Sequence, residues 1–135
     1  MTRVVLIVED TELCRETLEM ALMRVPDLTV RSVTSAEEAL QWLDENDVCA
    51  LVTDLHLPLM NGFELIETVR GRPWRSSLPI LVISGDSDPR VQTRLAKLGA
   101  NAFFTKPYSP TEVRHKLEQL INVGQALPPA NRSSR

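Results

Sequence analysis

The feature that most restricts the fold of this chain is its alternation. Five short apolar runs that suit strands buried on both faces, at residues 4–8, 28–33, 49–53, 79–83 and 101–104, are separated by segments whose apolar residues recur at helical spacing. The first helical segment, residues 13–25, places Cys14, Leu18, Ala21, Leu22 and Val25 on one face and meets a stop at Pro26. Ser35 with Glu38 and Asn61 with Glu64 form capping-box pairs that open helices reaching Asp44 and Arg70. Asp88-Pro89 opens a fourth helix that Gly99 closes, and Ser109-Pro110-Thr111-Glu112 opens a fifth through Ile121. Strand–helix alternation of this kind predicts an α/β fold with a parallel sheet covered on both faces. The repeat fills residues 1–122 as one domain. Residues 123–135 are rich in Pro, Ser and Ala and are predicted to be a flexible tail or a truncated linker.

Composition narrows the function classes. A chain of 135 residues with 43% hydrophobic and 24% charged residues can bury a core without disulfide or metal support. Cys14 and Cys49 form no CxxC pair and have no His at ligand spacing, so both are expected to be buried, reduced thiols. A net charge of −3 argues against direct nucleic-acid binding, whose footprint is usually basic. The N-terminal apolar run ends in acids and is too short to span a bilayer, which predicts no membrane association and a cytoplasmic location.

In an open α/β sheet, ligands sit beyond the carboxyl ends of the strands. Here the first strand ends in Glu9-Asp10, the third in Asp54, the fourth in Ser84-Gly85-Asp86 and the fifth in Thr105-Lys106-Pro107. Three acids, a hydroxyl and an amine therefore converge on one rim. Like charges about 4 Å apart repel by roughly 4 kcal/mol at an effective dielectric near 20, so such a cluster calls for a cation. Oxygen-only ligands suit Mg²⁺, which favours phosphate as a co-ligand. A carboxylate can also attack phosphorus and become an aspartyl-phosphate.

The motifs Glu9-Asp10, Thr53-Asp54-Leu55-His56-Leu57-Pro58-Leu59-Met60-Asn61-Gly62, Ile83-Ser84-Gly85 and Lys106-Pro107 together resemble the signatures of the receiver domain of bacterial two-component response regulators, over residues 3–121. The resemblance implies a flavodoxin-like (βα)5 doubly wound sheet of order 2-1-3-4-5, an order that chemotaxis receivers exemplify. It implies that Asp54 accepts a phosphoryl group from a histidine kinase or a histidine phosphotransfer protein, with Mg²⁺ (or Mn²⁺) held by Glu9, Asp10, Asp54 and the backbone carbonyl of His56. Ser84 and Lys106 would contact the phosphoryl group, and the Lys106–Pro107 peptide bond would be cis. Phe103 falls where the family keeps an aromatic switch residue. A signalling role is implied, with no enzymatic activity beyond the domain's own phosphorylation and dephosphorylation. The output would be an unknown downstream protein reached through the fourth helix, fifth strand and fifth helix, with the chain as a monomer or a phosphorylation-dependent dimer. Glu9 stands where many members have Asp, Ser84 where Thr is commoner, and His56 and Asp86 flank the site at variable positions.

Other residues carry weaker signals. Arg90, Arg94 and Lys97 share one face of the fourth helix, read either as solvated charge or as a basic docking patch. Leu13 lies off the apolar face of the first helix, near the acid pair, and is either a stray surface leucine or a contact for the phosphodonor. Trp42 and Trp74 are expected to be packing residues and His115 an exposed, inert one. A pseudo-receiver would not need Asp54 and Lys106. A flavin protein would want a phosphate-cradling loop where Glu9-Asp10-Thr11-Glu12 stands, and a phosphatase a second acid at position 56, which is His.

Overall fold

A computed structural model describes residues 3–126. Five strands, β1 (Arg3–Val8), β2 (Leu28–Val33), β3 (Ala50–Asp54), β4 (Ile80–Ser84) and β5 (Ala102–Thr105), alternate with five helices. These are α1 (Glu12–Leu22), α2 (Ala36–Glu45), α3 (Gly62–Arg70), α4 (Pro89–Leu98) and α5 (Pro110–Ala126). The strands form one parallel sheet in the order β2-β1-β3-β4-β5, as the resemblance implied.

Side chains alternate across a strand, and both faces are used. Val5 and Ile7 of β1 pack with Leu18 and Leu22 of α1 and Val113 and Leu117 of α5. Leu6 and Val8 face the opposite layer, built from Ala39 and Leu43 of α2, Leu65 and Ile66 of α3 and Leu95 of α4. Two buried faces explain why the strands read as unbroken apolar runs rather than as alternation.

The caps hold with one variation. Asn61 and Glu64 form a complete capping box, with Glu64 N–H donating to Asn61 Oδ1 at 2.9 Å and Asn61 N–H to Glu64 Oε1 at 3.0 Å. Ser35 accepts from Glu38 N–H at 3.2 Å, but the Glu38 carboxylate reaches back one residue further, to Thr34 N–H at 3.3 Å and Thr34 Oγ1 at 2.8 Å. These donors hold the Glu38 carboxyl below its ordinary range. Two helix ends differ from expectation. α1 stops at Leu22 rather than Val25: Pro26 has no N–H for the Leu22 carbonyl, which accepts from Val25 N–H at 3.0 Å instead. α5 runs to Ala126, past both Ile121 and the expected domain end at 122, since Gly124 weakens a helix without stopping it and the first proline is Pro128. The rest of the expected tail, 127–135, lies outside the described residues.

Both cysteines are half-buried free thiols, not the fully buried ones expected. Cys14 sits at the margin of α1's apolar stripe, and Cys49 precedes the first fully covered residue of β3. Trp42 packs against the core from α2, His115 is exposed, and the Trp74 side chain lies outside the described residues.

Two arginines unmarked in the sequence reading lock the end of the sheet remote from the acids. Arg70 donates to the Gly99 carbonyl from Nε at 3.1 Å and from Nη2 at 2.7 Å, to Asn101 Oδ1 at 3.0 Å and to the Arg75 carbonyl at 3.0 Å. Asn101 Oδ1 also accepts from Ile80 N–H at 2.8 Å, so one node joins α3, the end of α4 and the start of β4. Gly99 permits it: its φ is +104°, and a Cβ there would lie 2.8 Å from Arg70 Nε. Arg75, buried in a short 3-10 turn at Pro73–Arg75, donates to the Leu43 and Asn46 carbonyls and so satisfies the end of α2.

Candidate functional site

Strand ends position the site. Asp54 closes β3 and pairs in register with Ile83, Ser84 closes β4 opposite Thr105, and Lys106 follows β5 directly. Glu9 follows β1 and is tied to the edge strand by its N–H bond to the Val33 carbonyl at 3.1 Å. Parallel strands of similar length therefore deliver acids, hydroxyl and amine to one rim.

Glu9, at 1% exposure, and Asp54, at 6%, are buried, whereas Asp10 is exposed. One carboxylate oxygen from each of the three lies within 4.8 Å of the others. Lys106 Nζ donates to Asp54 Oδ2 at 2.8 Å and to Glu9 Oε1 at 3.1 Å. Burial alone would push the Lys106 ammonium down, but these two hydrogen bonds and the charges behind them outweigh it and hold the ammonium above its ordinary range. Stability from Lys106 is therefore fully present below its unfolded value and is lost only as pH rises through the folded one, so the group is charged across the neutral range. Glu9 is also held above its ordinary range, here because of burial rather than in spite of it. Burial raises its carboxyl, with the Asp54 charge adding to the effect, while the Thr11 N–H at 3.1 Å and Lys106 oppose it.

Asp54 has two distinct oxygens. Oδ1 accepts from Leu55 N–H at 2.6 Å and His56 N–H at 3.1 Å, so backbone fixes it. Oδ2 is held by the flexible Lys106 side chain. The Lys106–Pro107 bond is cis. Ser84 Oγ accepts from Asp86 N–H at 3.2 Å, which leaves its proton to donate, and Asp86 Oδ1 accepts from Asp88 N–H at 3.0 Å. Phe103 lies half-buried on β5, two residues before Thr105 and on the same sheet face as Val82 and Ser84.

Three clustered carboxylates against one ammonium leave an excess of about two negative charges, and every free donor is an oxygen. The cluster therefore fits a hard divalent cation. The structure brings Glu9, Asp10, Asp54 and Lys106 together and sets Ser84 at the end of the strand beside β3. It adds Gly62, whose N–H bonds the Leu55 carbonyl at 2.9 Å and whose missing Cβ would fall 2.5 Å from the Asp54 carbonyl oxygen. It also adds Leu59, fully exposed in the loop after Asp54 at φ +66°, a left-handed conformation that a branched residue adopts at a cost of about 1–2 kcal/mol. Both stand in the quoted motif, but neither carries a chemical group that a sequence argument would single out.

The same residues recur in known proteins. The family model of the response regulator receiver domain matches residues 5–118. A chemotaxis protein CheY homolog of Campylobacter jejuni is 30% identical over 120 residues, covering 88% of this chain and 92% of the relative. The two-component response regulator ORR8 of Oryza sativa is 36% identical over 110 residues, covering 81% and 90%. The crystal structure of a candidate response regulator from Chloroflexus aurantiacus superposes with a TM-score of 0.83 at 32% identity, covering 90% of this chain and 99% of that one. With the strand order, the rim of acids and the matched family model in agreement, the chain belongs to the receiver domain family of two-component response regulators.

Proposed function

We propose that this domain accepts a phosphoryl group on Asp54 from a histidine kinase or histidine phosphotransfer protein in the cytoplasm, and signals by that modification. The observation that carries the reading is the asymmetry of Asp54. Oδ1 is anchored by two backbone N–H groups, and Oδ2 is held by a side chain that can swing away. Oδ2 is then the nucleophile. It forms a bond to phosphorus as the bond from phosphorus to the donor's imidazole nitrogen breaks, and the nitrogen keeps the electron pair. Lys106 and Ser84 bond the transferred oxygens. Glu9, Asp10, Asp54 and the His56 carbonyl would hold Mg²⁺ or Mn²⁺, which supplies charge neutralisation at the phosphoryl group when bound. Labelling by acetyl phosphate, read by intact mass, is expected to require Mg²⁺. Asp10→Asn should weaken Mg²⁺ binding by roughly tenfold or more, the loss of a direct charged ligand. Equal Mg²⁺ affinity in that variant would place the metal elsewhere.

Leu13 supports a docking position for the donor. It is 73% exposed on the first turn of α1, one turn from the acid pair. Leu13→Asp should slow transfer from a phosphohistidine protein about tenfold or more while sparing labelling by acetyl phosphate. Equal loss with both donors would instead indicate misfolding.

The output follows from Ser84 and Phe103. Drawing the Ser84 hydroxyl toward a phosphoryl oxygen opens space on the face shared with Phe103, and an inward turn of that ring buries apolar surface. A shift from 1:99 to 99:1 needs about 5.5 kcal/mol, more than one or two charge-assisted hydrogen bonds and a partly buried ring supply. The equilibrium is therefore biased rather than switched outright. Beryllofluoride should move NMR signals at Phe103 and residues 90–97 in the parent, and much less in Ser84→Ala. Changes confined to the loops around Asp54 would sink this route.

A further inference from the structure

We propose that the chain pairs weakly with a second copy of itself through the outer face of α1, in an antiparallel, two-fold arrangement. Among the described residues, three of the four exposed large apolar side chains lie on this one element: Leu13, Met20 at 72% exposure and, at the C-cap, Met23 at 66%. The inner face of α1 is in the core through Leu18 and Leu22, on the side of the sheet opposite α4. The exposed stripe is therefore separate from the surface formed by the fourth helix.

The charges around Met20 fit a copy of the same helix. Residues four apart form a ridge on a helix, and here the ridge reads Glu12, Glu16, Met20 and Arg24, the last in the turn after Leu22. Glu16 stands four residues before Met20 and Arg24 four after it, and all three are exposed. When two such ridges lie side by side in opposite directions, Met20 meets Met20 on the two-fold axis. Glu16 of each copy then meets Arg24 of the other, so the contact is made twice. The two charges cannot satisfy each other within one chain, because eight residues separate them by about 12 Å along the helix axis. Among the described residues neither makes an ion pair. Arg15 and Glu19, by contrast, are engaged within the chain: Arg15 donates to the Glu9 carbonyl at 3.3 Å, and Glu19 accepts from the Ser32 hydroxyl.

A shallow groove of about 300 Å³ runs beside the ridge, lined by Thr17, Met20, Ala21 and Arg24 together with Pro110 and Arg114 of α5. It gives the Met20 of the second copy an apolar seat. Arg114, whose contact with Glu118 is as long as 3.9 Å, adds a second cation beside the incoming Glu16. A second copy is the occupant because one pattern supplies both halves of the contact, the acid before the methionine and the base after it. The eleven residues of α1 span about 16 Å, so the contact is smaller than a standard interface of about 1,600 Å², and pairing is expected at about 0.1–1 mM. It needs neither metal nor phosphoryl group and is independent of the reading of Asp54.

The test is sedimentation equilibrium with NMR line widths on the full 135-residue chain, where dimer should build up between about 20 µM and about 2 mM. Glu16→Arg and Arg24→Glu should each weaken pairing about tenfold, because a repulsive contact then appears twice. The double variant Glu16→Arg with Arg24→Glu restores opposite charges across the axis and should return to within about twofold of the parent. Met20→Asp should abolish pairing over the same range, and it decides the case by itself if a charge reversal disturbs the fold. Lys97→Glu on α4 should leave pairing unchanged, as should beryllofluoride. All these positions are exposed, so melting temperatures should match the parent. A chain that stays monomeric at about 2 mM, a double variant as weak as the single ones, full pairing in Met20→Asp, loss of pairing in Lys97→Glu, or a dimer that forms only with beryllofluoride would each overturn the proposal.

Discussion

Asp54→Asn is expected to abolish labelling by acetyl phosphate completely while leaving the domain folded. An amide oxygen is a poor nucleophile toward phosphorus and cannot form the acyl phosphate. The substitution keeps shape, and an amide oxygen can still accept from Leu55 and His56 N–H, so the loop geometry survives. It removes one of three acids packed within 4.8 Å of one another, which relieves repulsion, and Lys106 keeps its bond to Glu9. The melting temperature should therefore stay level or rise, and loss of labelling could not be blamed on unfolding. A labelled Asp54→Asn protein would mean that another acid, Asp10 or Asp86, is the acceptor. Peptide mapping of the product would show which.

Gly62→Ala should be the most damaging single methyl added near the site. Its Cβ would lie 2.5 Å from the Asp54 carbonyl oxygen and 2.7 Å from Leu55 Cα, and both are backbone atoms at the end of a central strand. No flexible side chain can give way. Either the end of β3 moves, carrying Asp54 with it, or the first turn of α3 leaves its cap. Such overpacking costs about 1–3 kcal/mol, and slower phosphorylation should accompany it. Gly71→Ala is the matched control, because its Cβ would meet nothing closer than 3.5 Å and its backbone is already helical. Urea unfolding should show the first variant destabilised and the second within about 0.5 kcal/mol of the parent. Equal stability of Gly62→Ala would mean that the close approach is relieved at no cost.

The fold and the chemical side chains of the site were legible because both rest on patterns that survive in one dimension. Burial of both sheet faces leaves unbroken runs such as Val4 to Val8, and a strand's last residue is visible as the point where the run meets Asp54 or Ser84. What escaped depends on partners far apart in the chain. Arg70 reaches Gly99 and Asn101, and Arg75 reaches Leu43 and Asn46, contacts that no local periodicity encodes. Gly62 escaped because its importance is the absence of an atom beside Asp54. The ends of α1 and α5 were misjudged for a different reason. Helix limits depend on where the chain must turn, and Pro26 acts several residues upstream of itself. Half-burial of Cys14 and Cys49 reflects position at the edge of a stripe, which residue type alone does not report.

The two ends of α4 are anchored differently, and that gives the helix a mechanical character. Its entry hangs from the site through Ser84, Asp86 and Asp88, a string of single hydrogen bonds. Its exit is clamped by the Arg70 fork on the Gly99 carbonyl. α4 is thus a lever with its fulcrum at the far end. Its ten residues span about 15 Å, and a tilt of roughly ten degrees about the clamp carries the entry through about 2–3 Å. Arg70, far from the acid rim, would therefore fix the pivot of any movement that began at the entry of α4.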